Sequence, residues 1–358
     1  MIIRLPGLID PHVHVREPGA THKEDWESCT AAALAGGFTT ILAMPNTRPP
    51  VTNESTLHLA LEGAQKARCD YAQYLGAGPD NAAGAARLAP HAAGLKLYLD
   101  QTYGPLKLDD MTLWGAHFQL WPKDAPLAIH AEGRTLAAAI AFAGLYQRPI
   151  HLCHVAHREE ILLIRKAKDS GWPVSCEVAP HHLFLSEADL PGIGARRGEV
   201  RPRLATSADQ QALWDNLEVI DCFATDHAPH TLAEKDSDNP PPGFPGLETA
   251  LPLLLSAVKA GRLSLEDIVQ RCYTNPARIF NLSAPADTWI DVDPAAEWEI
   301  RGRDLFSRCA WTPFEGHRVC GKVLGVTLRG QRVYENGQLL LPPGTGRNLR
   351  PRLSSHES

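Results

Sequence analysis

Two hydrophobic rhythms alternate along this chain. Short apolar, β-rich runs recur at residues 8–9, 38–44, 71–77, 95–99, 127–130, 150–155, 174–178 and 220–225. Between them lie amphipathic stretches. The Ala-rich segment 24–34, stopped by Gly36-Gly37, predicts a helix with a glycine C-cap, and 54–67 and 158–170 read the same way. Apolar strands alternating with helices predict parallel pairing through helical crossovers, and eight such units close a (β/α)8 TIM barrel of the α/β class. An open, doubly wound sheet is the structural alternative, but it gives no reason to stop at eight. From about residue 285 the helical rhythm ends. Residues 289–292 and 322–328 alternate apolar with polar positions, and 332–341 carries Glu335-Asn336-Gly337-Gln338, a hairpin signal. The expected organisation is a barrel over 8–284, a small β-sandwich-like layer from 1–7 plus 285–345, and a linker-like tail over 346–358. Pro, Gly, Ser and Arg dominate the chain from 342 onward.

Composition narrows the class. A chain of 358 residues that is 44% hydrophobic can bury a large core. Its 35 basic and 41 acidic residues leave a net charge of −6, too mild for a nucleic-acid or membrane surface, and no basic cluster stands out. No apolar run reaches the length of a membrane span, and the N-terminus lacks the regions of a signal peptide. Eight cysteines are scattered without a Cys-x-x-Cys pair, so a reduced, cytoplasmic protein is expected. Sixteen histidines are the unusual feature, because several of them close apolar segments.

The positions of those histidines carry the chemistry. His12 and His14 follow the first apolar run two residues apart, which puts them on one face of a strand. Lys96 lies inside the fourth strand and His130 closes the fifth. Cys153-His154, Glu177 and Asp226 close the sixth, seventh and eighth. Barrel enzymes draw catalytic groups from such strand ends. An unmodified Lys96 cannot ligate a metal and would be costly to bury unless paired with a carboxylate. Carbamylation by CO2 is the other reading, and it turns the lysine into a carboxylate long enough to bridge two cations. His12, His14 and Asp226 would then serve one ion, and His130 and His154 the other. Such a pair suits hydrolysis, with Asp226 accepting and returning the proton.

Several motifs in order resemble one family. His12-Val13-His14-Val15-Arg16-Glu17-Pro18-Gly19, Met44-Pro45-Asn46-Thr47, Gly94-Leu95-Lys96, Glu177 to Leu183 with its His181-His182 pair, Asp226-His227-Ala228-Pro229-His230 and the Pro-rich run 240–249 look like dihydroorotases of the amidohydrolase superfamily, above all the branch carried by the animal multifunctional protein CAD. The resemblance covers essentially the whole chain. It implies two zinc ions on a (β/α)8 barrel, held by His12, His14, a carbamylated Lys96, His130, His154 and Asp226. In that branch a third zinc is associated with the positions of Cys153 and Glu177; a buried thiol and an outer carboxylate are the plainer reading.

It further implies a reversible reaction, N-carbamoyl-L-aspartate closing to L-dihydroorotate and water in pyrimidine biosynthesis. Both molecules are anions, so the site must supply positive charge. Arg16, two residues past His14, has the fork that suits a carboxylate, although a loop arginine is ordinarily just solvated. The family adds Asn46 and His230 as partners for the ring carboxylate, with Arg201 and His182 nearby. The stiff loop 239–246 could present backbone at Pro242 to the amide end of the ring, or simply connect. After Lys96, Thr102 and Tyr103 occupy the tip of a mobile loop; the CAD branch has Phe where this chain has Tyr103. Pro11 and Trp26 are further departures, neither at a ligand position. A related hydantoinase or allantoinase, or an inactive scaffold homologue, are the alternatives. Relatives suggest a homodimer, and the short lead-in before His12 fits a domain excised from a longer polypeptide with carbamoyl-phosphate synthetase and aspartate transcarbamoylase domains.

Overall fold

The computed structural model describes residues 1–283, 285–351 and 353. The strands in chain order are β1 (Ile3–Pro6), β2 (Leu8–Val13), β3 (Phe38–Ala43), β4 (Asp70–Gln73), β5 (Leu75–Gly76), β6 (Leu95–Tyr98), β7 (Leu127–His130), β8 (Ile150–Leu152), β9 (Val174–Val178), β10 (Cys222–Phe223), β11 (Trp289–Glu299), β12 (Arg318–Leu328), β13 (Gln331–Glu335) and β14 (Gln338–Leu339). From β2 to β10 every pairing is parallel, in sequence order. β4 and β5 form one barrel strand broken at Tyr74, so the count of eight holds. The ring closes where Val13 bridges His227 and the His14 amide donates to the His227 carbonyl at 2.8 Å. All eight expected strands are present, and nearly every residue in them is buried, which is why they read as continuous apolar runs.

Local signals set the helices. The first crossover helix, Trp26–Ala35, starts at Asp25, whose carboxylate accepts from the Ser28 amide in a capping box. It ends where Gly37 takes a positive φ of 87°, as the Gly36-Gly37 pair requires.

Beyond the barrel, β1, β11, β12, β13 and β14 make one antiparallel sheet. Asn336 and Gly337, both at positive φ, turn the final hairpin as the sequence predicts. This sheet shares a single core with the barrel: Leu5, Val292, Val323 and Val326 pack in one cluster with Leu251 and Leu254 of the helix Leu247–Lys259.

The last described segment differs from the loose tail expected over 346–358. Arg347 and Leu349 pair through their backbones with Tyr71, and the Gly346 amide donates to the Ala67 carbonyl. The Arg350 guanidinium donates to the carbonyls of Ala92, Phe280 and Asn281. All of these bonds end on main-chain carbonyls, which leave no trace in hydropathy. Gly346 is needed there, since an added Cβ would lie 2.0 Å from the Cys69 carbonyl oxygen. The remainder of that expected tail, residue 352 and residues 354–358, lies outside the described residues.

Candidate metal and anion site

The strand ends converge on one buried cluster. His12 Nε2 and His14 Nε2 approach the same Asp226 oxygen, at 3.2 and 3.1 Å. His130 Nδ1 and His154 Nε2 lie 2.9 Å apart, and the rings of His12 and His154 are 5.2 Å apart, centre to centre. Lys96, fully buried, places Nζ 2.7 Å from Cys153 Sγ. The donor atoms of His12, His14 and Asp226 fall within 4.8 Å of one another, as do those of His12, Cys153 and Glu177.

Electrostatics favours the ligating form of the imidazoles. Burial pushes His12 down to about 4, and the charge on Lys96 adds to this. Burial, then Arg16, holds His14 well below its ordinary value; burial, then His130, does the same for His154. Neutral imidazole is the state that binds metal. Burial works against ionised Glu177, but His12 and His151 outweigh it and hold its carboxyl far down. Glu177 joins His12 Nδ1 at 2.5 Å and His151 Nε2 at 3.0 Å, which leaves His12 Nε2 facing the cluster.

Several features fit a metal centre. His130 Nε2 and His154 Nδ1 are buried without a hydrogen bond. No carboxylate lies within ion-pair distance of Lys96 among the described residues, so the paired-lysine reading finds no partner. Two cluster residues, His154 and Asp226, hold left-handed backbone at φ 36° and 46°, and Arg16 beside them does so at 67°. Such conformations persist only where surroundings enforce them, and they concentrate at functional sites. Beneath the cluster, Asp10 accepts from the Thr225 hydroxyl at 2.5 Å and from the His12 amide at 3.1 Å, which ties the first and eighth strand ends together.

A second group of side chains sits against the first. Asn46 Oδ1 contacts His14 Nδ1 at 2.8 Å, while its amide nitrogen donates to the Tyr103 carbonyl at 2.9 Å. Arg16 donates to the Pro229 carbonyl and lies 3.0 Å from His230 Nε2. Lys23, also buried, donates to His230 Nδ1 at 2.9 Å. His230 Nε2 lies 3.0 Å from the Pro242 carbonyl as well. The Tyr103 ring covers the group: Arg16, Lys23 and Arg48 lie 5.0, 4.6 and 5.6 Å from its centre, and His230 meets it edge-on. Outside it opens a cleft of about 920 Å³ lined by Thr102, Tyr103, Arg48 and the prolines 240–242. The loop is therefore closed over the cations.

Of the substrate contacts expected from sequence, Arg16, Asn46, His230, Tyr103 and Pro242 come together, with Thr102 at the rim. His182 is buried against His181 and its Nε2 has no hydrogen bond. The Arg201 guanidinium is engaged by Glu199 at 2.5 Å. Sequence reasoning missed Asp10, Lys23 and His151. Asp10 was legible in principle, since it precedes His12 by two and shares its face of β2.

Comparisons with known proteins fit this geometry. By structure the chain matches the L-hydantoinase of Arthrobacter aurescens over 98% of its length and 89% of that chain, with a TM-score of 0.90 and 25% identity. It also matches the inactive dihydroorotase-like domain of the Chaetomium thermophilum CAD-like multifunctional protein, at 29% identity and a TM-score of 0.84, covering 98% and 99% of the two chains. These likenesses define a TIM-barrel amidohydrolase. Residues 2–77 match the family model described as dihydro-orotase-like. Over 95% of the chain it is 38% identical to the dihydroorotase of Pyrococcus abyssi, covering 86% of that protein. It is 56% identical over 98% of its length to the multifunctional protein CAD of Squalus acanthias. The chain belongs to the dihydroorotase family. It spans only 16% of the length of the CAD relative.

Proposed function

We infer that this chain is a zinc-dependent dihydroorotase, which closes N-carbamoyl-L-aspartate to L-dihydroorotate with release of water and reopens it by hydrolysis. The observation that carries this reading is the junction of the two groups at His14: its Nε2 faces Asp226 in the donor cluster, and its Nδ1 meets Asn46 in the cationic group. An anionic ring bound by Arg16, Asn46 and His230 would thus have its amide beside the donors.

In this reading His12, His14 and Asp226 would hold one zinc and His130 and His154 a second, with Lys96, as a carbamate formed with CO2, a donor to the pair. Cys153 and Glu177, with His12, are the proposed donors for a third. Zinc bound there would polarise the amide carbonyl and activate water. The chain's own groups do the rest. Asp226 takes the proton released on attack and returns it to the departing amide nitrogen. Arg16 supplies the charge-assisted, forked contact to the carboxylate, and His230 and Asn46 complete it. The Pro242 carbonyl accepts from a ring N–H, Tyr103 and Thr102 shut out bulk water, and His182 is proposed to lie near substrate. Arg201 would have to exchange Glu199 for substrate. Leu251 and Leu254 of the 247–259 helix pack the barrel against its β layer, with domains proposed at 8–284 and at 1–7 plus 285–345.

The complete donor set speaks against an inactive scaffold, and Arg16, Asn46 and His230 together speak against a hydantoinase or allantoinase. No helix among the described residues is long and apolar enough to cross a membrane. A cytoplasmic homodimer, linked in its full-length form to carbamoyl-phosphate synthetase and aspartate transcarbamoylase domains, completes the proposal. Assay of dihydroorotate, hydantoin and allantoin side by side tests it. The expected outcome is turnover of dihydroorotate in large excess over the other two; preferential turnover of hydantoin or allantoin would replace the reading.

A further inference from the structure

Lys235 is fully buried at the end of the short helix Leu232–Lys235, yet it has no carboxylate partner among the described residues. Its Nζ instead donates to three backbone carbonyls: Glu199 at 2.6 Å, Pro241 at 3.0 Å and Gly243 at 3.2 Å. An ammonium carries three N–H donors, so this cradle saturates its charged form. Burial works the other way and lowers the group to about 7, partly offset by Glu199. The rings of Phe244 and Trp311 lie 5.5 and 5.6 Å away and wall the site from water.

The segment so gripped cannot hold itself. Pro240, Pro241 and Pro242 have no N–H, so their register must be fixed from outside. Pro241 and Gly243 flank Pro242, whose carbonyl lies 3.0 Å from His230 Nε2. Gly243 also donates its amide to the Glu199 carbonyl at 3.1 Å, and Phe244 accepts from the Ala228 amide at 2.7 Å. At Gly243 an added Cβ would lie 2.4 Å from the Ala228 carbonyl oxygen, so the loop lies hard against the strand end that leads to His230. From the other side, Trp311 Nε1 donates to the His230 carbonyl at 2.7 Å.

We propose that Lys235 is a positioning residue for substrate recognition: by clamping the carbonyls on either side of Pro242 it aims that carbonyl, and through it the His230 imidazole, at the anionic ring. The inference rests on the reading of Arg16, Asn46 and His230 as the carboxylate site. Lys235 touches neither substrate nor donors, so its loss moves binding rather than chemistry.

Lys235→Met keeps the length and removes the charge and donors. In the zinc-loaded protein the expected result is a KM for dihydroorotate raised about tenfold, with kcat within about twofold of the parent. Hydrogen–deuterium exchange adds a readout that needs no turnover: protection of the Gly243 and Ala228 amides should fall in the variant while the barrel strands stay protected. If Lys235→Met does not fold, Lys235→Gln, which retains N–H donors, reads the same split with a smaller KM rise. An unchanged KM, a loss confined to kcat, or unchanged exchange at 239–246 would overturn the clamp. An unaltered chain inert toward dihydroorotate would overturn the functional reading instead, and exchange would still decide the clamp.

Discussion

The donor cluster and the cationic group lie side by side, but they are built in opposite ways. Lys96, His130 and Glu177 are placed by regular strand ladders, and His12, His154 and Asp226 sit at or just past the ends of barrel strands. Arg16, Lys23, Asn46, Tyr103 and His230 come from loops and hold one another through side-chain contacts that span long stretches of sequence. A rigid frame suits ligands that must keep fixed distances. A loop-borne group suits a substrate that must enter, be covered and leave. The difference implies that damage to the two groups should separate kinetically.

The widest separation is expected at the cluster. Lys96→Ala should abolish turnover and cut bound zinc, while Asp226→Asn should keep most of the metal and lower kcat by about 10²–10⁴-fold through lost proton transfer. Elemental analysis beside steady-state kinetics reads both, and normal turnover by either variant would break the assignment. Next comes Arg16→Met. Loss of a charge-assisted contact of about 1.5–3 kcal/mol should lower kcat/KM roughly 10- to 150-fold, mostly through KM, with zinc content unchanged. A change in kcat alone would mean that the two groups are not separable. The smallest effect is expected at the cover. Tyr103→Ala should slow turnover about tenfold with little change in Tm, since a half-buried loop residue contributes little to the core. Tyr103→Phe should stay near the parent, because the ring carries the stacking on Arg16 and Lys23. Unchanged kinetics in Tyr103→Ala would remove the lid.

The same contrast explains what was legible in advance. Barrel strands are buried on both faces, so they stand out as apolar runs, and the residue that closes each run announces the strand end. The blurred cases have local causes. The third strand is broken at Tyr74, whose amide donates to the Ala43 carbonyl. The eighth keeps only Cys222–Phe223 in regular form before Asp226 turns into left-handed backbone. Lys23 stayed hidden because nothing in the sequence beside it marks it. Its partners Tyr103 and His230 are 80 and 207 residues away, and no periodicity encodes that.

The account stands on the strand-end donors being a working metal centre. Its most direct test is the rate of dihydroorotate hydrolysis as zinc is returned, in bicarbonate buffer, to protein stripped by a chelator. The rate should start near zero and climb to a plateau at two or three equivalents per chain. Full activity in the stripped protein, or none with the metal restored, would contradict it.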